Sequence, residues 1–157
     1  MNQEMKMPGP QPTVLIVDDA RLNLEILNQI LSGEYRVVRA CDGRQALDMV
    51  GIHLPDIILL DVVMPGLDGY EVCTLLKSNA RTRDIPVIFV TGMDDEGSHA
   101  QGIAAGAAGF LTKPFRPAAV LSQVHIQLDL RRTKELLGSR YGERAESTSP
   151  ASRTHGA

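Results

Sequence analysis

Long apolar runs are missing from this sequence. No stretch approaches the ~18 apolar residues that a membrane-crossing helix requires, and the opening residues, MNQEMKMPGPQP, lack the apolar centre of a secretory signal. Cysteine is scarce. Cys41 and Cys73 are the only two and make no zinc-ligand or redox spacing, so both read as reduced thiols. Positive charge is not in excess either: 16 Lys and Arg face 19 Asp and Glu, for a net charge of −3. No cluster of basic residues is interleaved with the aromatics, which make up 4% of the chain, so direct nucleic-acid binding by the folded part is not expected. What these absences leave is a soluble, cytoplasmic protein whose partner is another protein.

With 157 residues, 43% of them hydrophobic, the chain suits one domain with tails and can bury a core without disulfides or a structural metal. Residues 1–12 are polar and rich in proline, and Gly138 to Ala157 is poor in apolar side chains. Neither end offsets its ordering entropy, so both are expected to be disordered. The expected organisation is a tail over 1–12, a folded domain over 13–130, and a helix extension with a disordered tail over 131–157.

Between the tails, short apolar runs alternate with helical patterns. The runs are TVLIV (13–17), YRVVRA (35–40), DIILL (56–60), PVIFVT (86–91) and GFLTK (109–113). Helical stretches fall at 21–32, 44–50, 69–79 and 94–107, and a last one opens near Arg116. Alternation of this kind implies βαβ units and a parallel sheet with helices on both faces. A parallel strand buried on both faces reads as a continuous apolar run. Val14–Val17, Ile57–Leu60 and Val87–Val90 are continuous and the other two runs are not, so the first, third and fourth strands are interior. With right-handed crossovers, that fits the order 2-1-3-4-5. Ligands in such sheets bind beyond the carboxyl ends of the strands at the switch point, here between the first and third strands.

Reading those carboxyl ends in turn yields Asp18 and Asp19, Asp61, Thr91 and Lys113. Singly each has a bland role: Asp19 as a helix N-cap, Thr91 as a turn residue, Lys113 as a solvated edge charge. Together they do not, because three close carboxylates repel one another unless a cation sits among them. Oxygen-only ligands suit Mg²⁺, held by carboxylates, waters and a phosphate oxygen. Lys113 and Thr91 then offer an ammonium and a hydroxyl to a phosphoryl group transferring to a carboxylate.

VDD (17–19), DVVMPGLDGYEV (61–72), Thr91-Gly92 and FLTKPF (110–115) resemble the receiver domain of bacterial two-component response regulators, over about residues 13–130. The resemblance implies a flavodoxin-like, doubly wound three-layer α/β sandwich. It implies that Asp61 is the phosphoacceptor, served by a sensor histidine kinase or a histidine phosphotransfer protein, and that Asp18, Asp19 and Asp61 hold Mg²⁺ with the backbone carbonyl of Val63. By the same resemblance Thr91 is the switch hydroxyl, Lys113 the phosphate-pairing lysine and Phe110 the switch aromatic, here without a tyrosine hydroxyl. Pro114 is structural, with a cis Lys113–Pro114 peptide expected. Val63 and Met93 occupy the positions that tune phosphoryl lifetime. The chain is then a signalling module rather than an enzyme, read by a downstream protein effector through a phosphorylation-dependent surface.

Other residues read as structure. Met64-Pro65-Gly66 and Asp68-Gly69 shape the loop after the acceptor, with Asp68 capping the next helix. His53, His99, His125 and His155 share no metal-ligand spacing. Leu22, Ile26, Leu27, Ile30 and Leu31 read as one core-facing stripe. In the last helix Val120, Val124 and Leu128 are expected to pack on the sheet, leaving Ile126, Leu130 and Leu137 partly exposed as a possible dimer seam or partner groove. Gly97, Gly102 and Gly106 are expected to make the fourth helix the least stable.

Two other chemistries fit less well. A flavin module would carry a Ser/Thr/Gly-rich phosphate loop where this chain has Asp18-Asp19-Ala20-Arg21. An aspartyl-phosphate hydrolase would carry an acid/base Asp where this chain has Val63. Within the family, the alternatives are a phosphorelay intermediate, or the receiver part of a longer regulator whose output domain is missing from this chain. Only 20 residues follow Leu137.

Overall fold

Alternating side-chain directions along each strand divide the apolar residues between two layers. In the computed structural model, which describes residues 11–92 and 96–156 with side chains for 11–92 and 99–138, the strands are β1 (Thr13–Val17), β2 (Arg36–Ala40), β3 (Ile57–Asp61), β4 (Val87–Thr91) and β5 (Gly109–Thr112). All pairings are parallel and the order is β2-β1-β3-β4-β5. Val14 pairs with Ile57, Ile58 with Val87 and Ile88 with Gly109. The three central strands are buried at every position, whereas β2 and β5 are mixed, as edge strands should be.

The helices are α1 (Arg21–Leu31), α2 (Gly43–His53), α3 (Gly69–Lys77), α4 (Glu96–Ala105) and α5 (Pro117–Gly156). Leu15, Val17, Ile58, Leu60, Val87 and Phe89 face α2 and α3, meeting Ala46, Val50, Val72, Cys73 and Leu76, with Ala105 of α4 at the margin. The intervening residues Val14, Ile16, Ile57, Leu59, Ile88 and Val90 face α1 and α5, meeting Leu24, Leu27, Leu31, Val120 and Val124. Two helical layers therefore enclose one sheet, in the flavodoxin-like α/β arrangement.

Local chemistry sets the helix starts. Asp68 accepts from Glu71 N while the Glu71 side chain accepts from Asp68 N, a capping box that opens α3. Asp42 caps α2 by accepting from Gln45 N at 2.7 Å. At α1 the N-cap is Ala20 with no side-chain cap, so Asp19 does not fill that role.

Three expectations need correction. Leu22 is 70% exposed and Ile26 also faces solvent, while Leu24 takes the core place beside Leu27 and Leu31. At 100° per residue Leu22 and Ile26 lie some 200° round the helix from Leu24, and only one of those faces meets the sheet. Gly106 does not weaken the interior of α4, because that helix ends at Ala105 and Gly106 follows it with φ +105. Finally, α5, for which the sequence suggests roughly 20 residues against the ~11 to 12 of an average helix, runs for 40 residues and includes the segment from Gly138 that was expected to be unstructured. Once Val120 and Val124 anchor the first turns, each further residue adds a hydrogen bond for one residue fixed, which is how a nucleated helix propagates. The N-terminal tail expected over 1–12 lies, as far as residue 10, outside the described residues.

Candidate functional site

β1 and β3 are adjacent, so the residues at their carboxyl ends are brought together by the sheet itself. Asp61 is the last residue of β3 and Asp18 follows β1. Both are buried, at 3% and 1% exposure. Asp19 is exposed, and carboxylate oxygens of Asp18, Asp19 and Asp61 lie within 4.8 Å of one another. Lys113, just past β5, reaches back so that its Nζ stands 3.5 Å from Oδ2 of Asp18 and 3.5 Å from Oδ2 of Asp61. The Lys113–Pro114 peptide is cis. Thr91 closes β4 on the same rim and is buried.

This rim is electrostatically unbalanced. Burial, and then the neighbouring Asp18 charge, push the Asp61 carboxyl up from 3.8 to about 6; Lys113 and a hydrogen bond from Val63 N work in the other direction. Val63 N donates to Asp61 Oδ1 at 3.3 Å. Asp18 is better supplied, accepting from Ala20 N at 2.9 Å and from Asn23 Nδ2 at 3.1 Å. Two of the three carboxylates are out of water with one ammonium between them, and their oxygens form a hard donor set. That chemistry fits a divalent cation of the Mg²⁺ type.

The loop after Asp61 is held against it by close backbone packing. Gly69 N donates to Val62 O at 2.9 Å, and a Cβ on Gly69 would run into the backbone carbonyl of Asp61. Gly66 takes φ +78, and Met64 is buried. The Val63 side chain is 77% exposed beside the site. Met93, its expected counterpart, lies outside the described residues.

Phe110 sits on β5, half-buried, in a row of rings. Its centroid is 4.3 Å from that of His99 on α4 and 6.2 Å from that of Phe89, which in turn meets Tyr70 edge-on at 5.3 Å. A Cβ on Gly102 would come within 2.9 Å of both the Phe110 and Phe89 rings, so α4 lies directly on the expected switch aromatic. The structure thus brings Asp18, Asp19, Asp61, Val63, Thr91 and Lys113 to one rim, with Phe110 on the strand next to β4, paired with Phe89 two residues before Thr91. Sequence reasoning missed Asn23, and it read Gly69 as a loop residue and Gly102 as a weak point of the fourth helix without their close approach to Asp61 and Phe110. Asn23 had a signal in retrospect: a buried carboxylate after β1 needs donors, and the first turn of α1 is the nearest source.

His125 pairs with Glu34 at 2.9 Å and tilts against Tyr35, a packing role joining α5 to the end of α1. Cys41 is exposed and Cys73 buried, both free. No helix among the described residues is long and apolar enough to cross a membrane.

A family model described as the response regulator receiver domain matches residues 14–125. The response regulator PleD of Caulobacter vibrioides is 43% identical over 136 residues, which cover 82% of this chain and 30% of that protein. A probable cyclic di-GMP phosphodiesterase of Vibrio cholerae is 39% identical over 127 residues, covering 81% of this chain and 29% of that one. Among solved structures, a putative response regulator from Chloroflexus aurantiacus superposes with a TM-score of 0.73 at 36% identity, over 76% of this chain and 98% of that chain. The chain therefore spans about a third of the length of these curated relatives.

Proposed function

This chain belongs to the response regulator receiver family, and we propose that its Asp61 accepts a phosphoryl group from a phosphohistidine on a sensor histidine kinase or histidine phosphotransfer protein. The observation that carries this reading is the buried Asp61 carboxylate, with Asp18 and Asp19 within 4.8 Å and the Lys113 ammonium 3.5 Å away. A carboxylate oxygen of Asp61 bonds to phosphorus while the P–N bond breaks, its electron pair staying on the imidazole nitrogen. Lys113 and Thr91 stand where they can pair with the phosphoryl oxygens, and such positioning is most of what phosphoryl transfer asks of a protein. Asp18, Asp19, Asp61 and the Val63 carbonyl would hold Mg²⁺, which when bound neutralises the crowded carboxylates and the phosphoryl oxygens.

Output follows from the same packing. Thr91 drawn towards the phosphoryl oxygens leaves room that Phe110 takes, and Phe110 cannot move without α4, which rests on it through Gly102 and His99. A downstream protein effector, met in the cytoplasm, would read the altered surface beside α4 and β5. The short span of the relatives' length supports a second reading in which this receiver governs an output carried elsewhere in a longer regulator, with α5 as the connection; a phosphorelay role uses the same site. Exposed Ile126, Leu130 and Leu137 on α5 would then suit a dimer seam.

Incubation with acetyl phosphate and Mg²⁺ tests the central claim. The peptide containing Asp61 should gain one phosphoryl mass, EDTA should prevent it, and Asp61→Asn should not label. Full labelling of that variant would overturn the assignment.

A further inference from the structure

The opposite end of the sheet carries a second concentration of charge. β4 spans five residues, which places its amino-terminal end about 17 Å from the acidic rim. There a cavity of about 720 Å³ opens between the turn after α3, the start of β5 and α5. Five cationic side chains line it: Lys77 from the last turn of α3, Arg81 and Arg83 from the loop before β4, and Arg131 and Lys134 from α5. Only two carboxylates, Asp84 and Glu135, share the wall. A local surplus of positive charge in a chain of net charge −3 needs an explanation.

Two of the cations are engaged in holding the cavity's shape. Lys77 Nζ donates to the carbonyls of Arg83 at 2.9 Å and Ile85 at 2.7 Å. Arg131 donates to Glu135 Oε2 at 3.2 Å and to the Asp56 carbonyl at 2.8 Å. The side chains of Arg81, Arg83 and Lys134 make no ion pair or hydrogen bond among the described residues. Crowding of like charge is felt at Lys77, whose ammonium is held below its ordinary pKa by burial, with Lys134 and Arg131 adding to the effect while Cys73 and Asp84 oppose it.

Charge selects an anion, and shape narrows the class. The volume lies within the 300–1,000 Å³ usual for small-molecule sites, whereas an acidic polypeptide would call for an extended groove. Pro86, Ala108 and the 53%-exposed Leu130 offer apolar surface to a base. Asp84 and Glu135 can accept from the amino and hydroxyl groups that a base and a ribose carry. We propose that this cavity binds a nucleoside polyphosphate, its phosphates paired with Arg81, Arg83 and Lys134 and its base laid against Leu130 and Pro86. No residue is shared with the acidic rim, so the inference stands apart from phosphoryl acceptance. Because the ligand would bridge the loop before β4 to α5, its binding would fasten α5 to the body of the domain.

Isothermal titration calorimetry of the full chain in EDTA, with ATP and GTP as probes, tests the site. At least one should bind with a Kd of roughly 100 µM or tighter, adenosine should not, and Arg83→Ala/Lys134→Ala should weaken binding at least tenfold. Those residues are exposed, and an unchanged thermal midpoint of the double variant shows that it folds; Arg81→Ala supplies a second, independent weakening. Asp61→Asn should bind as the wild type does, which separates this site from the phosphorylation site. Absence of binding at millimolar nucleotide, undiminished binding by the double variant, or inorganic triphosphate binding as tightly as ATP would each overturn the proposal. So would a poly-glutamate peptide binding in place of both nucleotides.

Discussion

Replacing Asp61 by Asn should make the metal-free protein more stable, by an amount that depends on pH. The isosteric amide keeps an acceptor for Val63 N and removes a charge that is 3% exposed and next to Asp18. The Asp61 carboxyl is raised from 3.8 to about 6 in the folded protein, by burial first and Asp18 second. A carboxyl whose folded pKa lies above its unfolded value binds more protons folded than unfolded between the two, so stability falls as pH rises through that window. The loss is complete above about pH 7, and two pKa units correspond to about 3 kcal/mol. Lys113 loses one of its partners in the variant, but it is 29% exposed and can turn to water, so about 2 to 3 kcal/mol should survive as the gain at pH 8. Near pH 4 the difference should approach zero. Urea unfolding followed by far-ultraviolet circular dichroism, in EDTA at pH 4 and pH 8, measures it directly. Added Mg²⁺ should then stabilise the wild type more than Asp61→Asn, since binding to the native state alone raises its stability by mass action. A gain of the same size at both pH values, or a variant less stable at pH 8, would refute the reasoning that burial and Asp18 burden this carboxylate.

Asn23→Ala should weaken Mg²⁺ affinity several-fold with little change in fold, because Asp18 loses the donor at 3.1 Å that fixes its carboxylate; titration of Mg²⁺ against tyrosine fluorescence checks it. Gly102→Ala should destabilise by about 1 to 3 kcal/mol through overpacking, since the new Cβ meets two rings within 2.9 Å, and hydrogen exchange should rise first in α4. Without that substitution α4 should already exchange fastest of the five helices and slow on addition of a phosphate mimic; uniform protection in both states would count against it. Self-dephosphorylation should be slow, since an apolar Val63 beside the site cannot orient the attacking water; the Asp61 phosphate should decay faster in Val63→Asn/Met93→Glu at fixed Mg²⁺.

Much of the fold was legible because the sheet is parallel and buried on both faces. Val14–Val17, Ile57–Leu60 and Val87–Val90 are continuous apolar runs, and these are the strands buried at every position. Their interruption in β2 and β5 marked the edges. Once the order was in hand, the site followed by topology: adjacent β1 and β3 must bring Asp18 and Asp61 together, and Lys113 at the end of β5 needs only its long side chain to reach them. The capping role of Asp68 was likewise written locally, in the Asp-x-x-Glu spacing at 68–71.

What escaped the sequence depends on which of two equivalent patterns tertiary contact selects. In α1 two apolar faces are available, Leu22/Ile26 and Leu24/Leu27/Leu31, and only the angle at which the helix meets the sheet decides that the second is the core. Close approach is invisible for the same reason. Gly69 and Gly102 are ordinary glycines until Asp61's carbonyl and the rings of Phe110 and Phe89 are placed against them. The basic cavity is the extreme case, since Arg81 and Arg83 stand some fifty residues from Arg131 and Lys134, and the chain's negative net charge conceals their convergence. Composition averages over such clusters, whereas a folded surface presents them to a ligand one patch at a time. The acidic and basic ends of this sheet therefore act as separate electrostatic sites: charges about 17 Å apart lie beyond the Debye length of about 8 Å at physiological ionic strength. Any coupling between them has to pass through the packed elements that run from one end to the other, among them β4, between Pro86 and the rim at Thr91, and β5, between Ala108 and Lys113.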